Sequence, residues 1–254
     1  HADVRRTLTT MRARVAAARA ICYACGVAAD LADAATDEQA RHAAKLREDL
    51  LTPIAKAWST DMGVDVASLG LQIHGGMGFM NETLAAQLYR DSRIAPIYEG
   101  TNGIQAIDLV GRKLSGTNGE SMRLILGDID ATIREARATN EPQLVQIADR
   151  LRAGADALRE ATDWMLAAMK ERDQDKALAG ATAYLALAGD VIGGHFLTKA
   201  AVAARSSDTG TRARNLALAG FFAETALAEA PGRVPGIVEG GQTFLEGSEA
   251  LFGV

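Results

Sequence analysis

A chain of 254 residues with 48% hydrophobic content is long enough to bury a substantial core as one large domain or two ordinary ones. The 27 basic and 32 acidic residues leave a net charge of -5, without the clustered positive face that phosphate-backbone binding needs, so nucleic acid is excluded as the expected partner. The most apolar stretch, 177–204, is broken by Asp190, His195 and Lys199, which predicts no integral membrane segment and a soluble, cytoplasmic protein.

In chain order, apolar or small residues recur at steps of four and three from Val4 through Leu8, Met11, Val15, Ala18, Cys22, Cys25 and Ala29 to Ala32. That spacing predicts one long amphipathic helix with a bundle seam. Cys22 and Cys25 form a C-x-x-C, but they sit on the helical pattern with no second pair, so buried structural thiols are expected rather than a redox or metal site. Thr36 with Gln39 reads as a capping box opening a second helix, which Pro53 should kink or restart. A third pattern carries Ile54, Trp58, Met62, Val66, Leu69 and Ile73 to the terminating glycines Gly75, Gly76 and Gly78.

A short helix through Leu84 and Leu88, a connection at Ala95 and Pro96, and a helix over 101–114 follow. The turn-rich run 115–119 predicts a boundary between a unit at 1–115 and another at 120–254. Beyond it, helices are expected at 121–138, 141–172, 175–205 and 210–229, with a tail after Pro231 that is irregular or a frayed helix. Gly189, Gly193 and Gly194 inside an apolar helix point to close helix packing. The fold class is all-α: an antiparallel four-helix-type bundle followed by a second helical domain.

Three stretches carry chemistry: Gln72-Ile73-His74-Gly75-Gly76-Met77-Gly78-Phe79, Leu88-Tyr89-Arg90-Asp91, and Ile97-Tyr98-Glu99-Gly100-Thr101-Asn102-Gly103-Ile104-Gln105. Singly each has an ordinary explanation as a turn, a surface charge pair and a solvated loop. Jointly they place a carboxylate before a helix, next to a glycine whose N–H can approach a ligand. That pairs a general base with a donor for a carbonyl, as proton abstraction next to a thioester requires.

In order and spacing these stretches resemble the C-terminal domain of the acyl-CoA dehydrogenase family, over roughly residues 4–114. The resemblance implies that Glu99 removes the α-proton of an acyl-CoA while the β-hydrogen leaves as hydride to FAD, giving a trans-2-enoyl-CoA. It implies that Gly100 donates its N–H to the thioester carbonyl and that Tyr98 lines the acyl pocket. Thr101 and Asn102 would approach the flavin nucleotide, and Gln72, His74, Gly75 and Gly76 would touch the FAD of a neighbouring subunit, with His74 shaping the loop. Gly103 departs from the family pattern, where many members carry a hydrogen-bonding side chain.

The extension, with Ala181-Tyr184-Leu185-Gly189-Asp190 and Leu218-Phe221-Phe222-Ala223-Glu224, resembles the larger subgroup with an additional C-terminal helical domain, such as the 3-methylthiopropanoyl-CoA dehydrogenases. The resemblance further implies an electron-transfer flavoprotein as electron acceptor and a homodimer or homotetramer. A flavin-binding β-domain and an arginine-bearing first bundle helix do not precede His1. A fragment that is inactive alone and holds FAD weakly or not at all is therefore expected. An acyl-CoA oxidase using the same base, or a non-catalytic assembly module, would share these residues.

Overall fold

A computed structural model of the protein describes residues 1–171 and 174–253. All regular structure among them is helical, in agreement with the all-α expectation. Helix α1 (Ala2–Ala34) runs back along α2 (Glu38–Ile73), and these two form the most extensive helix pair. The short α3 (Gly76–Phe79) and α4 (Ala85–Ser92) lead to α5 (Asn102–Asp108), which continues as a π-helical stretch, Leu109–Leu114. Then come α6 (Glu120–Ala138), α7 (Pro142–Lys170), α8 (Gln174–Ala203), α9 (Thr209–Phe222), α10 (Val234–Val238) and α11 (Gly240–Phe252).

Three expectations about the first unit need correction. Helix α2 is capped by Asp37, whose carboxylate accepts from the Ala40 N–H at 2.7 Å, and not by Thr36. It also passes through Pro53 without a break, so the second and third expected helices are one. Proline removes one backbone hydrogen bond, but its ring is buried beside Leu50, Leu51 and Ile54, and that packing offsets the loss. The inward face of α1 is Thr7, Ala13, Ala17, Ile21 and Ala28, whereas Val4, Leu8 and Val15 of the expected seam are exposed. Small side chains let α1 approach α2 closely, and that close approach outweighs burial of the larger aliphatics.

The cysteines follow from this rotation. Cys22 is exposed and Cys25 half-buried, so neither is the buried thiol that was expected. Cys25 lies 3.5 Å from Thr52 Oγ1, and partial burial pushes its thiol up. No metal-binding cluster of His, Cys, Asp or Glu occurs among the described residues.

In the second half, α7 ends at Lys170, and Arg172 at the expected end of that helix lies outside the described residues. The tail is more ordered than its glycines and prolines suggest, because α10 and α11 fold back onto α8. Gly189, Gly193 and Gly194 do allow close packing: a Cβ on Gly189 would overlap the Trp58 ring, and one on Gly193 would stand 3.1 Å from Ala17 Cβ. Helices α2 and α8 pack against each other and each against α1 and α5, and one buried core runs without a gap from Ala13 to Ile237. A bidentate Arg47 to Asp128 pair, at 2.9 and 3.1 Å, ties α2 to α6.

Helices α1 and α8 are each long and apolar enough by composition to cross a membrane, which amends the earlier reading of the sequence. In α8, 72% of the apolar window is buried inside the protein, as a core helix requires.

Candidate active-site loop

After α4 the chain descends through overlapping turns, with Ile97 N–H and Tyr98 N–H both donating to Ile94 C=O. Pro96 is buried and its carbonyl accepts from Asn102 N–H at 3.0 Å, which closes a loop over 97–101. At its tip Glu99 has φ 52° and Gly100 φ 85°. A non-glycine residue in the left-handed region costs of order 1–2 kcal/mol, so the surrounding contacts must hold it there.

Those contacts come from two helices. Gln105 of α5 reaches back to donate to the Glu99 carbonyl at 3.4 Å. From α2, Lys56 Nζ donates to the Gly100 carbonyl and to Asn102 Oδ1, both at 2.7 Å. Asn102 Nδ2 in turn donates to the Ala57 carbonyl at 3.0 Å and to Asp61 Oδ1 at 2.8 Å. Thr101 caps α5, its hydroxyl accepting from Ile104 N–H at 3.3 Å.

The result is a loop fixed through its backbone, with the Glu99 side chain left exposed and without a hydrogen-bond or ionic partner among the described residues. Around it Ile94, Ile97, Tyr98, Ile104 and Ile107 stand exposed, an apolar surface bordering one carboxylate. Tyr98, Glu99, Gly100, Thr101 and Asn102 are therefore brought together, with the first three facing outward and the Asn102 carboxamide turned into α2.

Gln72, His74, Gly75 and Gly76 form a separate cluster at the far end of α2, roughly 17 Å along the helix from Asp61 at 1.5 Å per residue. His74 Nδ1 lies 2.8 Å from the Gly70 carbonyl, which can only accept, so the ring donates from Nδ1 and closes the helix end. Gly75 has φ 59° and ψ -145°, a region open to glycine. A Cβ on Gly75 or Gly76 would meet nothing within 4 Å, so this backbone is bare and open on one face.

A polar constellation that the sequence did not single out lies behind the loop. A cavity of about 290 Å³ between α1, α2, α5 and α8 is lined by Asp61, Asn102, Trp58, Asp190 and Arg233. Buried Asp190 accepts from Trp58 Nε1 at 3.0 Å and pairs with Arg233 at 2.8 Å. Burial pushes its carboxyl up to about 6 even though Arg233 and Trp58 pull it back down. Lys56, Thr60 and Asp61 were legible only as three among many polar residues of a long helix.

With this geometry in place, the comparisons with known proteins decide the family. A family profile described as "Acyl-CoA dehydrogenase, C-terminal domain" matches residues 1–114, and one described as "Acetyl-CoA dehydrogenase C-terminal like" matches 125–247. The chain belongs to the acyl-CoA dehydrogenase family. The 3-methylmercaptopropionyl-CoA dehydrogenase of Ruegeria pomeroyi is 39% identical over 98% of this chain, and the match covers 42% of that relative. The chain thus spans about two fifths of that acyl-CoA dehydrogenase.

Two solved structures share the fold. An acyl-CoA dehydrogenase of Bacillus anthracis, complexed with FAD, matches with a TM-score of 0.72 at 20% identity, over 93% of this chain and 42% of that one. Caenorhabditis elegans ACDH-11, in complex with C11-CoA, matches with a TM-score of 0.71 at 19% identity, over 87% of this chain and 36% of that one.

Proposed function

We propose that this chain is the base-bearing, C-terminal part of an FAD-dependent acyl-CoA dehydrogenase that converts an acyl-CoA thioester to the trans-2-enoyl-CoA. The observation that carries the reading is the left-handed Glu99–Gly100 pair, an unpartnered carboxylate and a bare backbone N–H held side by side at the tip of a pinned loop.

In this reading Glu99 takes the α-proton. The thioester carbonyl gathers the resulting negative charge and accepts from the Gly100 N–H, a donor fixed before the reaction begins. Tyr98, 51% exposed, borders the acyl chain, and closure around the substrate removes water from the carboxylate. FAD, when bound, supplies the acceptor for the β-hydride.

The residues present fit a flavin in two places. The open backbone at Gly75 and Gly76, beside exposed Gln72, admits a flat group from a neighbouring subunit. At the start of α5 the Thr101 hydroxyl, the Asn102 carboxamide and the N–H groups of Asn102 and Ile104 are already engaged within the fold, so a pyrophosphate contact there falls to the Gly103 N–H.

The exposed apolar residues of α1, among them Leu8, Val15, Tyr23, Val27 and Leu31, support assembly as a homodimer or homotetramer. An electron-transfer flavoprotein is the proposed electron acceptor. We further propose two units at 1–115 and 120–254, the second supporting the first through α8.

The test uses the full-length protein that contains this chain. Acyl-CoAs of graded length, with 3-(methylthio)propanoyl-CoA among them because of the relative's name, are added anaerobically while the flavin absorbance is followed. Bleaching with formation of the enoyl-CoA supports the proposal, and no bleaching by any of them overturns it. Oxygen uptake without another acceptor replaces the dehydrogenase by an oxidase.

A further inference from the structure

We propose that Lys56 is a positioning residue for the reaction: its ammonium group sets the Glu99–Gly100 tip against α2, and α-proton abstraction depends on it. The proposal rests on the reading of Glu99 and Gly100 given above.

The geometry starts from the strain. Glu99 and Gly100 both hold positive φ, and nothing in the sequence of a loop this short enforces that by itself. Lys56 Nζ spends two of its three donors on atoms that flank Thr101, the Gly100 carbonyl and Asn102 Oδ1, each at 2.7 Å. Both are charge-assisted bonds, shorter and stronger than neutral ones. The carboxamide of Asn102 is fixed at its other end by Asp61 Oδ1 at 2.8 Å and the Ala57 carbonyl at 3.0 Å, so its oxygen is the atom presented to Lys56. Lys56, Asn102 and Asp61 thus form an ordered sequence of donor and acceptor from α2 to the loop and back.

The charge of Lys56 does not stabilise α5 through the helix dipole. A cation beside the first turn of α5 opposes the helix dipole, which favours negative charge at that end. Nor does Lys56 pair with a carboxylate among the described residues, since both its hydrogen bonds go to neutral oxygens of the loop. What the ammonium does is fix the carbonyl of the residue whose N–H receives the thioester. The peptide planes on either side of Gly100 turn about its φ and ψ, so its N–H is fixed only while both planes are held, the Glu99 carbonyl by Gln105 and the Gly100 carbonyl by Lys56; without Lys56 the hinge at Gly100 is free, and the donor, with Glu99 before it, swings away from the substrate.

The experiment uses the full-length holoprotein in four forms: wild type, Lys56→Met, Lys56→Arg and Glu99→Gln. Flavin content and the rate of flavin bleaching at saturating acyl-CoA are measured, with ordinary and α-deuterated substrate. Lys56→Met should keep its flavin, bleach about 100-fold more slowly, as a displacement near 1 Å can cause, and show a larger α-deuterium isotope effect. Lys56→Arg, which keeps the charge and two donors, should recover most of the rate.

A wild-type bleaching rate and isotope effect in Lys56→Met, with Glu99→Gln silent, overturns the role of Lys56 and leaves the base in place. Wild-type bleaching by Glu99→Gln removes the reading on which the proposal stands. Should Lys56→Met lose its flavin, Lys56→Gln, which keeps a donor nitrogen but neither the charge nor the reach of the ammonium, is read in the same way, and a wild-type rate per bound flavin overturns the proposal.

Discussion

Replacing Asp190 by Asn tests the account of the buried constellation behind the loop. The Asp190 side chain is 8% exposed and its carboxyl is pushed from 3.8 to about 6, with burial as the largest cause and Arg233, Trp58 and Arg14 acting against it while Glu229 adds to it. Because the folded value lies above the ordinary one, the folded state holds a proton between about pH 4 and 6 that the unfolded state has released. The contribution of this group to stability is therefore fully present below about pH 4 and is lost as pH rises through 6, by roughly 3 kcal/mol at 1.36 kcal/mol per pH unit. Asn does not titrate, still accepts from Trp58 Nε1, and leaves Arg233 to Glu229, already 3.7 Å away. The assay is urea unfolding of wild type and Asp190→Asn, followed by circular dichroism from pH 4 to pH 7. Other groups cancel in the difference between the two proteins, and the advantage of Asn should grow by roughly 3 kcal/mol over that range. A flat difference would refute a desolvated carboxylate at this position.

Two further substitutions probe the same core. Gly189→Ala places a methyl group into the Trp58 ring, so thermal unfolding should show a loss of about 1–3 kcal/mol; an unchanged melting temperature would contradict the close contact between α8 and α2. His195 is buried, its Nδ1 has no hydrogen-bond partner among the described residues, and burial and then Lys199 lower its pKa to about 4 while Asp128 opposes them. The unfolded state therefore takes up a proton first on acidification, and stability is lost as pH falls from 6.5 towards 4. His195→Leu should abolish that loss, worth roughly 3 kcal/mol in the difference between the two unfolding curves, and an equal acid sensitivity in both proteins would argue against a buried neutral imidazole.

Much of this architecture was legible because helical periodicity survives in a chain rich in Ala and Leu. The long α1, the glycines that end α2 and the packing glycines of α8 all follow from spacing alone. What was lost has local causes. The inward face of α1 is chosen by small residues such as Ala13 and Ala17, which a hydrophobic stripe of Val4, Leu8 and Val15 outweighs on any scale of apolarity. Pro53 signals a break, yet burial of its ring in the core keeps α2 whole. The tail after Pro231 has weak local preference, and its helices form because they dock on α8.

At the site, Glu99 and Gly100 stood out as a contiguous motif, whereas the groups that hold them did not. Lys56 and Asp61 are about 40 residues away in sequence and meet the loop only through the fold. Trp58 and Asp190 are 132 residues apart, and no spacing rule connects residues 58, 190 and 233.

The most direct measurement of the central claim is on the full-length holoprotein with Glu99→Gln, which keeps the size of the side chain and removes its basicity. Flavin content should match wild type, while bleaching by the acyl-CoA that best reduces the wild type should fall by three or more orders of magnitude, of the order that general-base catalysis contributes at its upper end. Bleaching at the wild-type rate, with flavin bound, would contradict the assignment of Glu99 as the base.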